Sequence, residues 1–193
     1  MSFQFSRPGR PQIDRFLSSQ AELRFTYESV GATENATALP SGYDCDQTRV
    51  RLGRGDDTFQ SGCDALRAWT QFDLGWTAAL PRDTPIETGR SVAVLAQGMG
   101  LWTLNAARIV YVVASQTHFG FAYGTLPGHV EMGEERFLIE LDPATGDVWY
   151  DILAFSRPNH ALAKLGYRFV RRLQRKFRQD SASRMQRAVA GNR

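Results

Sequence analysis

From Ser91 to Phe155 the chain is almost unbroken strand-forming sequence, and one long amphipathic segment follows it. The strand-like pieces are Ser91–Leu95, Leu101–Val113, Thr117–Tyr123, Glu134–Leu141 and Val148–Phe155, rich in β-branched and aromatic residues. They are separated by Gly98-Met99-Gly100, Ala114-Ser115-Gln116, a Gly/Pro loop over Gly124–Gly133, and Asp142–Asp147. Connections this short join antiparallel neighbours, because a parallel pair needs a crossover of about a dozen residues or more. The run therefore predicts an antiparallel meander, and a meander must bury one face against something else.

The next segment is suited to that task. Ser156-Arg157-Pro158 marks a boundary, with Ser156 as a cap and Pro158 in a first helical turn. A helix is predicted from about Asn159 to Ala188. Leu162, Leu165, Phe169, Leu173 and Phe177 form its apolar stripe, while Lys164, Arg168, Arg171, Arg175 and Arg178 form a basic one. At about 100° per residue the two stripes fall on opposite sides.

Upstream the signals are shorter. Residues 1–12, with Arg7-Pro8-Gly9-Arg10-Pro11, read as an arm or a lead-in lying on the body, and residues 13–20 as a short helical turn. Leu23, Phe25 and Tyr27 alternate with polar residues, the period of a half-buried strand. Residues 31–48 read as a surface loop and Arg49–Leu52 as a short extended piece. Phe59, Cys63, Leu66, Trp69 and Phe72 make one apolar helical face, with Asp57 as its cap and Gln60 completing a capping box. Gly75–Leu80 then reads as a strand stopped by Pro81.

The order predicts an α+β fold: a curved antiparallel sheet packed on a long C-terminal helix, the helix-grip arrangement of START and pollen-allergen-like proteins. The alternative is a small β-barrel, or a hot-dog-like sheet, that absorbs the helices. The boundaries read as an arm over 1–20, a single domain over 21–189 and a tail over 190–193. A length of 193 residues agrees with one domain.

Charge bears on partners. The net charge is +3, but from Asn159 onward ten Lys or Arg face Asp180 alone, while the preceding residues carry 13 basic against 19 acidic groups. A basic helix of this kind has three readings: a solvated outer face, a contact with anionic lipid or an acidic partner, or a contact with nucleic-acid phosphates. No base-reading motif accompanies it, so specific nucleic-acid recognition is not expected. Two cysteines and three histidines show no metal-ligand spacing, so no metal and no cofactor are expected. The N-terminus has no apolar signal core and no apolar run spans a membrane, so a cytoplasmic location is expected.

Three groups of residues carry candidate chemistry. His129 with Glu131 or Glu134 is a candidate acid/base pair, since imidazole titrates near neutrality and a carboxylate can orient it; the competing reading is a structural turn. Arg108 and Asp151 sit among apolar neighbours on both faces of their strands, so their charges need partners, and Glu134 and Arg136 lie on strands that can neighbour them. They either meet the polar end of a ligand or satisfy one another, and Tyr111, Tyr123 and Tyr150 can add hydroxyls. The third group is the basic stripe. Gly53-Arg54-Gly55 lacks the Lys and Ser/Thr of a phosphate loop and reads as a turn.

Gly100–Val113, Phe119–Phe137 and Val148–Tyr167, together with Gly53–Phe72, resemble an uncharacterised bacterial and plant family known as domain of unknown function nineteen-ninety. The resemblance covers about Arg24 to Met185. It implies no catalytic residue. The fold reading leads to the expectation of a module that binds an apolar or amphipathic small molecule between sheet and helix, with Arg108, Tyr111, Tyr123, Arg136 and Asp151 as its polar contacts. An acid/base enzyme of hydrolase or cyclase type and an interaction protein are the alternatives.

Overall fold

The computed structural model describes residues 2–159 and 166–191. Along the chain lie β1 (Ser2–Gln4), α1 (Arg10–Gln20), β2 (Asp44–Arg54), α2 (Asp56–Arg67), β3 (Thr77–Leu80) and β4 (Ser91–Gly98). They are followed by β5 (Leu101–Ala114), β6 (His118–Thr125), β7 (Glu131–Leu141), β8 (Asp147–Pro158) and α3 (Tyr167–Ala190). One antiparallel sheet runs in the order β2-β8-β7-β6-β5-β4-β3, with β1 paired to β5. From β4 to β8 each strand pairs with the next, as the short connections require. β2 closes on the far side of β8. The sheet curls around α3, which is the helix-grip arrangement.

Strand alternation divides the side chains between two faces. The concave face carries Val92, Ile109, Phe121, Phe137, Ile139, Tyr150 and Ile152, packed with α2 and the inner side of α3. Phe137 sits at the centre, with its ring 5.4 Å from Phe72 and 6.4 Å from Phe177. The helical face read from Phe59 to Phe72 is buried throughout. Tyr150 ties the sheet to the helix through a 2.9 Å bond between its hydroxyl and that of Ser181.

The convex face is also covered. Ile13 of α1 packs on Ala78, Ala93, Leu95 and Leu104. α1 is longer than a single turn and starts at Arg10, inside the segment read as an arm.

Four local expectations are corrected. Leu23–Glu28 is not a strand: the segment crosses the convex face irregularly, held by the Thr26 N–H on the Thr125 carbonyl and by side-chain bonds. β2 begins at Asp44, because pairing with β8 orders what composition alone reads as loop. Asp57 caps nothing. Gly55, at φ 84°, turns the chain into α2, and Asp56 and Asp57 lie in its first turn, where negative charge suits the helix dipole. β8 continues through Pro158, so Ser156 and Pro158 end a strand rather than start a helix. Pro158 sits at the strand's last residue, where a missing N–H is tolerated. Leu162, Lys164 and Leu165 lie outside the described residues.

Candidate functional site

Between the concave face and α3 lies a cavity of about 330 Å³. Its walls are mostly apolar and include Phe72, Trp76, Val94, Phe169, Leu173 and Phe177. Leu173 and Phe169 come from the stripe predicted to face the sheet. They close over Gly98, where an added Cβ would stand 3.0 Å from Leu173 Cδ1.

The cavity has a polar end, built by β5, β6, β7 and the turn between β6 and β7. Asn105, Tyr123, Thr125, His129, Glu131 and Glu135 all line it. The Tyr123 hydroxyl donates to Glu135 Oε2 at 2.7 Å. Burial pushes the Glu135 carboxyl up to about 7, against the opposing effect of that hydrogen bond and of Arg178. Glu131 is only 6% exposed, and its Oε1 has no hydrogen-bond partner among the described residues. Burial raises its carboxyl to about 7 as well. His129 is held neutral, because burial lowers its imidazole to about 4. Its Nδ1 lies 3.0 Å from the backbone nitrogen of Glu131 and 3.1 Å from the Glu131 carbonyl oxygen. A carboxyl balanced near neutral pH can accept or release a proton under physiological conditions.

Across the rim, Asp46 of β2 receives Arg171 at 2.6 Å and Arg178 at 2.9 Å. These two arginines therefore turn back toward the sheet, half-buried, and do not share an outer stripe with Arg168 and Arg175, which are exposed. The helix offset explains it: the residues flanking an apolar stripe reach the edge of the sheet when an acid waits there.

The candidate residues are thus separated by the pleat. Tyr123, His129 and Glu131 meet at the cavity. Glu134, one residue out of phase with Glu131 and Glu135, faces the convex side. There its carboxylate accepts from the Tyr27 hydroxyl and Gly31 N–H, both at 2.7 Å, and from Thr33 N–H at 2.9 Å and the Thr33 hydroxyl at 2.5 Å. It clamps residues 27–33 onto the sheet and does not approach His129 as an acid/base partner. Gly124 makes room for this clamp, since a Cβ there would lie 2.1 Å from the Tyr27 hydroxyl.

Arg136 and Asp151 also face the convex side, in a 2.8 Å ion pair that Gln47 completes with a 2.7 Å bond to the second carboxylate oxygen. Tyr111 joins them through the Thr33 hydroxyl at 2.8 Å. These residues line a separate polar cleft of about 600 Å³. Arg108 stands apart from both sites and donates to the carbonyls of Gln20, Ala21 and Leu23 at the end of α1. The placement of Arg108, Tyr111, Arg136 and Asp151 at the polar end of a sheet–helix cavity is therefore corrected: they are on the other side of the sheet. The self-satisfied network is the reading that the Arg136–Asp151 pair fits. Glu135 escaped the sequence reading. Its signal was the period of two from Glu131, through Gly133, to the core residue Phe137.

Residues 26–184 match the family model described as "Domain of unknown function (DUF1990)". The chain belongs to this family. UPF0548 proteins, which are uncharacterised, are its curated relatives. One from Dictyostelium discoideum is 36% identical, with 98% of this chain and 97% of that protein covered. UPF0548 protein At2g17695 of Arabidopsis thaliana is 36% identical, with 92% and 93% covered. Among solved structures, hypothetical protein jhp0584 of Helicobacter pylori superposes with a TM-score of 0.54 at 13% identity, over 88% of this chain and 99% of that one. Ara h 8.0201 gives 0.50 at 11% identity, over 78% and 99%. These likenesses show the fold that this DUF1990 member shares: a curled antiparallel sheet around a C-terminal helix. No helix among its described residues is long and apolar enough to cross a membrane.

Proposed function

We propose that the protein is a binding module for a small amphipathic molecule, held between the sheet and α3. The supporting observation is the cavity itself. Its volume of about 330 Å³ falls at the lower end of ligand pockets, and apolar walls converge on a few polar groups, as such pockets do. The apolar part of the ligand lies among Phe72, Val94, Leu173 and Phe177. Its polar part meets Glu131, Glu135 and the Tyr123 hydroxyl. Asn105 contributes shape more than bonding, because its amide nitrogen already reaches the Val94 carbonyl at 3.1 Å and its oxygen takes the Val130 N–H at 3.3 Å.

Native mass spectrometry of the protein purified from its own host tests the reading, alongside titration with a neutral solvatochromic dye. Ala154 lines the cavity and pairs with Glu135 across β7 and β8, so Ala154→Phe fills the space beside the polar end. A one-to-one adduct or saturable dye binding is expected for the natural chain and a loss for the variant. Equal dye binding by both, or none by the natural chain, overturns the proposal.

A further inference from the structure

The protein leaves the polar end of the cavity electrostatically unfinished. Asp46 is answered by Arg171 and Arg178. The Thr125 hydroxyl is enclosed by Gly133 and Thr26. What remains is Glu131, 6% exposed with Oε1 unpartnered, and Glu135, four residues along the same face of β7, whose partner is a neutral phenol. Among the described residues no Lys or Arg forms an ion pair with either carboxyl. A buried carboxylate is costly unless a cation or several donors meet it. Nothing among the described residues meets Glu131 Oε1, and Glu131 is a wall residue of the cavity.

We propose that the ligand of this cavity carries a protonated nitrogen, an amphipathic amine whose N–H donates to the Glu131 carboxylate, with Glu135 as a second acid farther along the same cavity wall. This rests on the reading of the cavity as a ligand site. The charged and titratable groups that face the two acids are Asp44 and Asp46 from β2, Arg171, Arg178 and Tyr167 from α3, Tyr123 from β6, Tyr150 from β8, and His129 of the turn before β7, which burial keeps neutral. Arg171 and Arg178 bond to Asp46 and offset the two glutamates only in part, Arg171 acting on Glu131 and Arg178 on Glu135. Burial raises the Glu131 carboxyl, and an amine bound to it favours its ionised form. Binding therefore releases protons and tightens as pH rises from about 6 to about 8, where an alkylamine is still charged.

Calorimetry on the full chain with octylammonium, octanol and octanoate, each below its micelle concentration, tests the proposal. A charge-assisted bond exceeds a neutral one by roughly 1.4 kcal/mol, so octylammonium is expected to bind about tenfold tighter than octanol, with octanoate weakest. Glu131→Gln is expected to reduce the preference for the amine to about twofold or less, and Ala154→Phe to remove binding of all three. If octanoate binds as tightly as octylammonium, or Glu131→Gln keeps the full preference, the head-group proposal falls and the cavity reading stands. If none of the three binds, both fall.

Discussion

Glu131 makes the stability of the protein depend on pH in a direction opposite to that of most carboxylates. Its carboxyl moves from an ordinary 4.5 to about 7 on folding, because burial penalises the charged form. The folded chain thus holds this proton more firmly than the unfolded one. The associated stability is complete below pH 4.5, is lost as pH rises through about 7, and changes little above that. At about 1.4 kcal/mol per tenfold change in ionisation, the loss reaches roughly 3 kcal/mol. Glu131→Gln removes the titration and keeps the shape. The amide leaves its own unpaired polar atoms, at a cost of about 1–3 kcal/mol that does not vary with pH. The informative quantity is therefore the difference between the natural chain and the variant at two pH values. Urea unfolding at about pH 5 and about pH 8 is expected to show the variant gaining about 2–3 kcal/mol relative to the natural chain over that interval. Glu135 titrates in both proteins and cancels. A difference that stays within about 0.5 kcal/mol, or that changes sign, would refute the assignment of Glu131 as a buried and unpaired acid.

Two further outcomes test the convex face. Arg136→Met removes the cation from Asp151, which is 1% exposed, and leaves it only the Gln47 amide; chemical denaturation is expected to show a loss of about 3–5 kcal/mol, much of it restored by adding Asp151→Leu. A loss below about 1 kcal/mol for Arg136→Met alone would contradict the buried pair. Gly124→Ala drives a methyl group into the Tyr27 hydroxyl and ring. It is expected to cost about 1–3 kcal/mol and to expose residues 27–33 to faster hydrogen exchange, while exchange in β7 and β8 stays slow.

The sheet could be read from the sequence because its strands follow one another. Each hairpin carries its own alternation and its own turn, as in Val148–Phe155 after the Asp142–Asp147 turn. β2 was read short because its order comes from β8, about a hundred positions away in the chain, and Asp44-Cys45-Asp46 has no strand signal of its own. The irregular segment from Leu23 to Thr33 shows the converse. Its alternation is real, but its donors go to the Glu134 carboxylate, and a side-chain acceptor has no period to read. The site was harder still. His129 and Glu131 stood out as a titratable pair, yet the contact between them is imidazole to backbone. Trp76, Trp102 and Trp149 are half-buried, each beneath a Lys or Arg, because an indole also serves as a platform for a cation at a sheet's margin.

The β7 strand explains why composition alone could not separate structure from function here. Within six residues it holds Glu131, Glu134, Glu135 and Arg136, which look equivalent as a string. The pleat sends Glu131 and Glu135 to the concave face and Glu134 and Arg136 to the convex one. On the convex side Glu134 has four donors and Arg136 has Asp151, although the Arg136 Nε has no partner among the described residues. On the concave side Glu131 keeps an oxygen without a partner, and both acids carry raised carboxyls. A one-residue slip in register would exchange the two sets, burying the clamp in the cavity and sending the uncompensated acids to the loop. At Gly133 a Cβ would stand 2.0 Å from the Phe155 carbonyl oxygen, so the observed pairing of β7 with β8 requires glycine there. The same strand therefore stabilises the fold with one face and leaves charge unsatisfied with the other, and the unsatisfied face is where a ligand would contribute most.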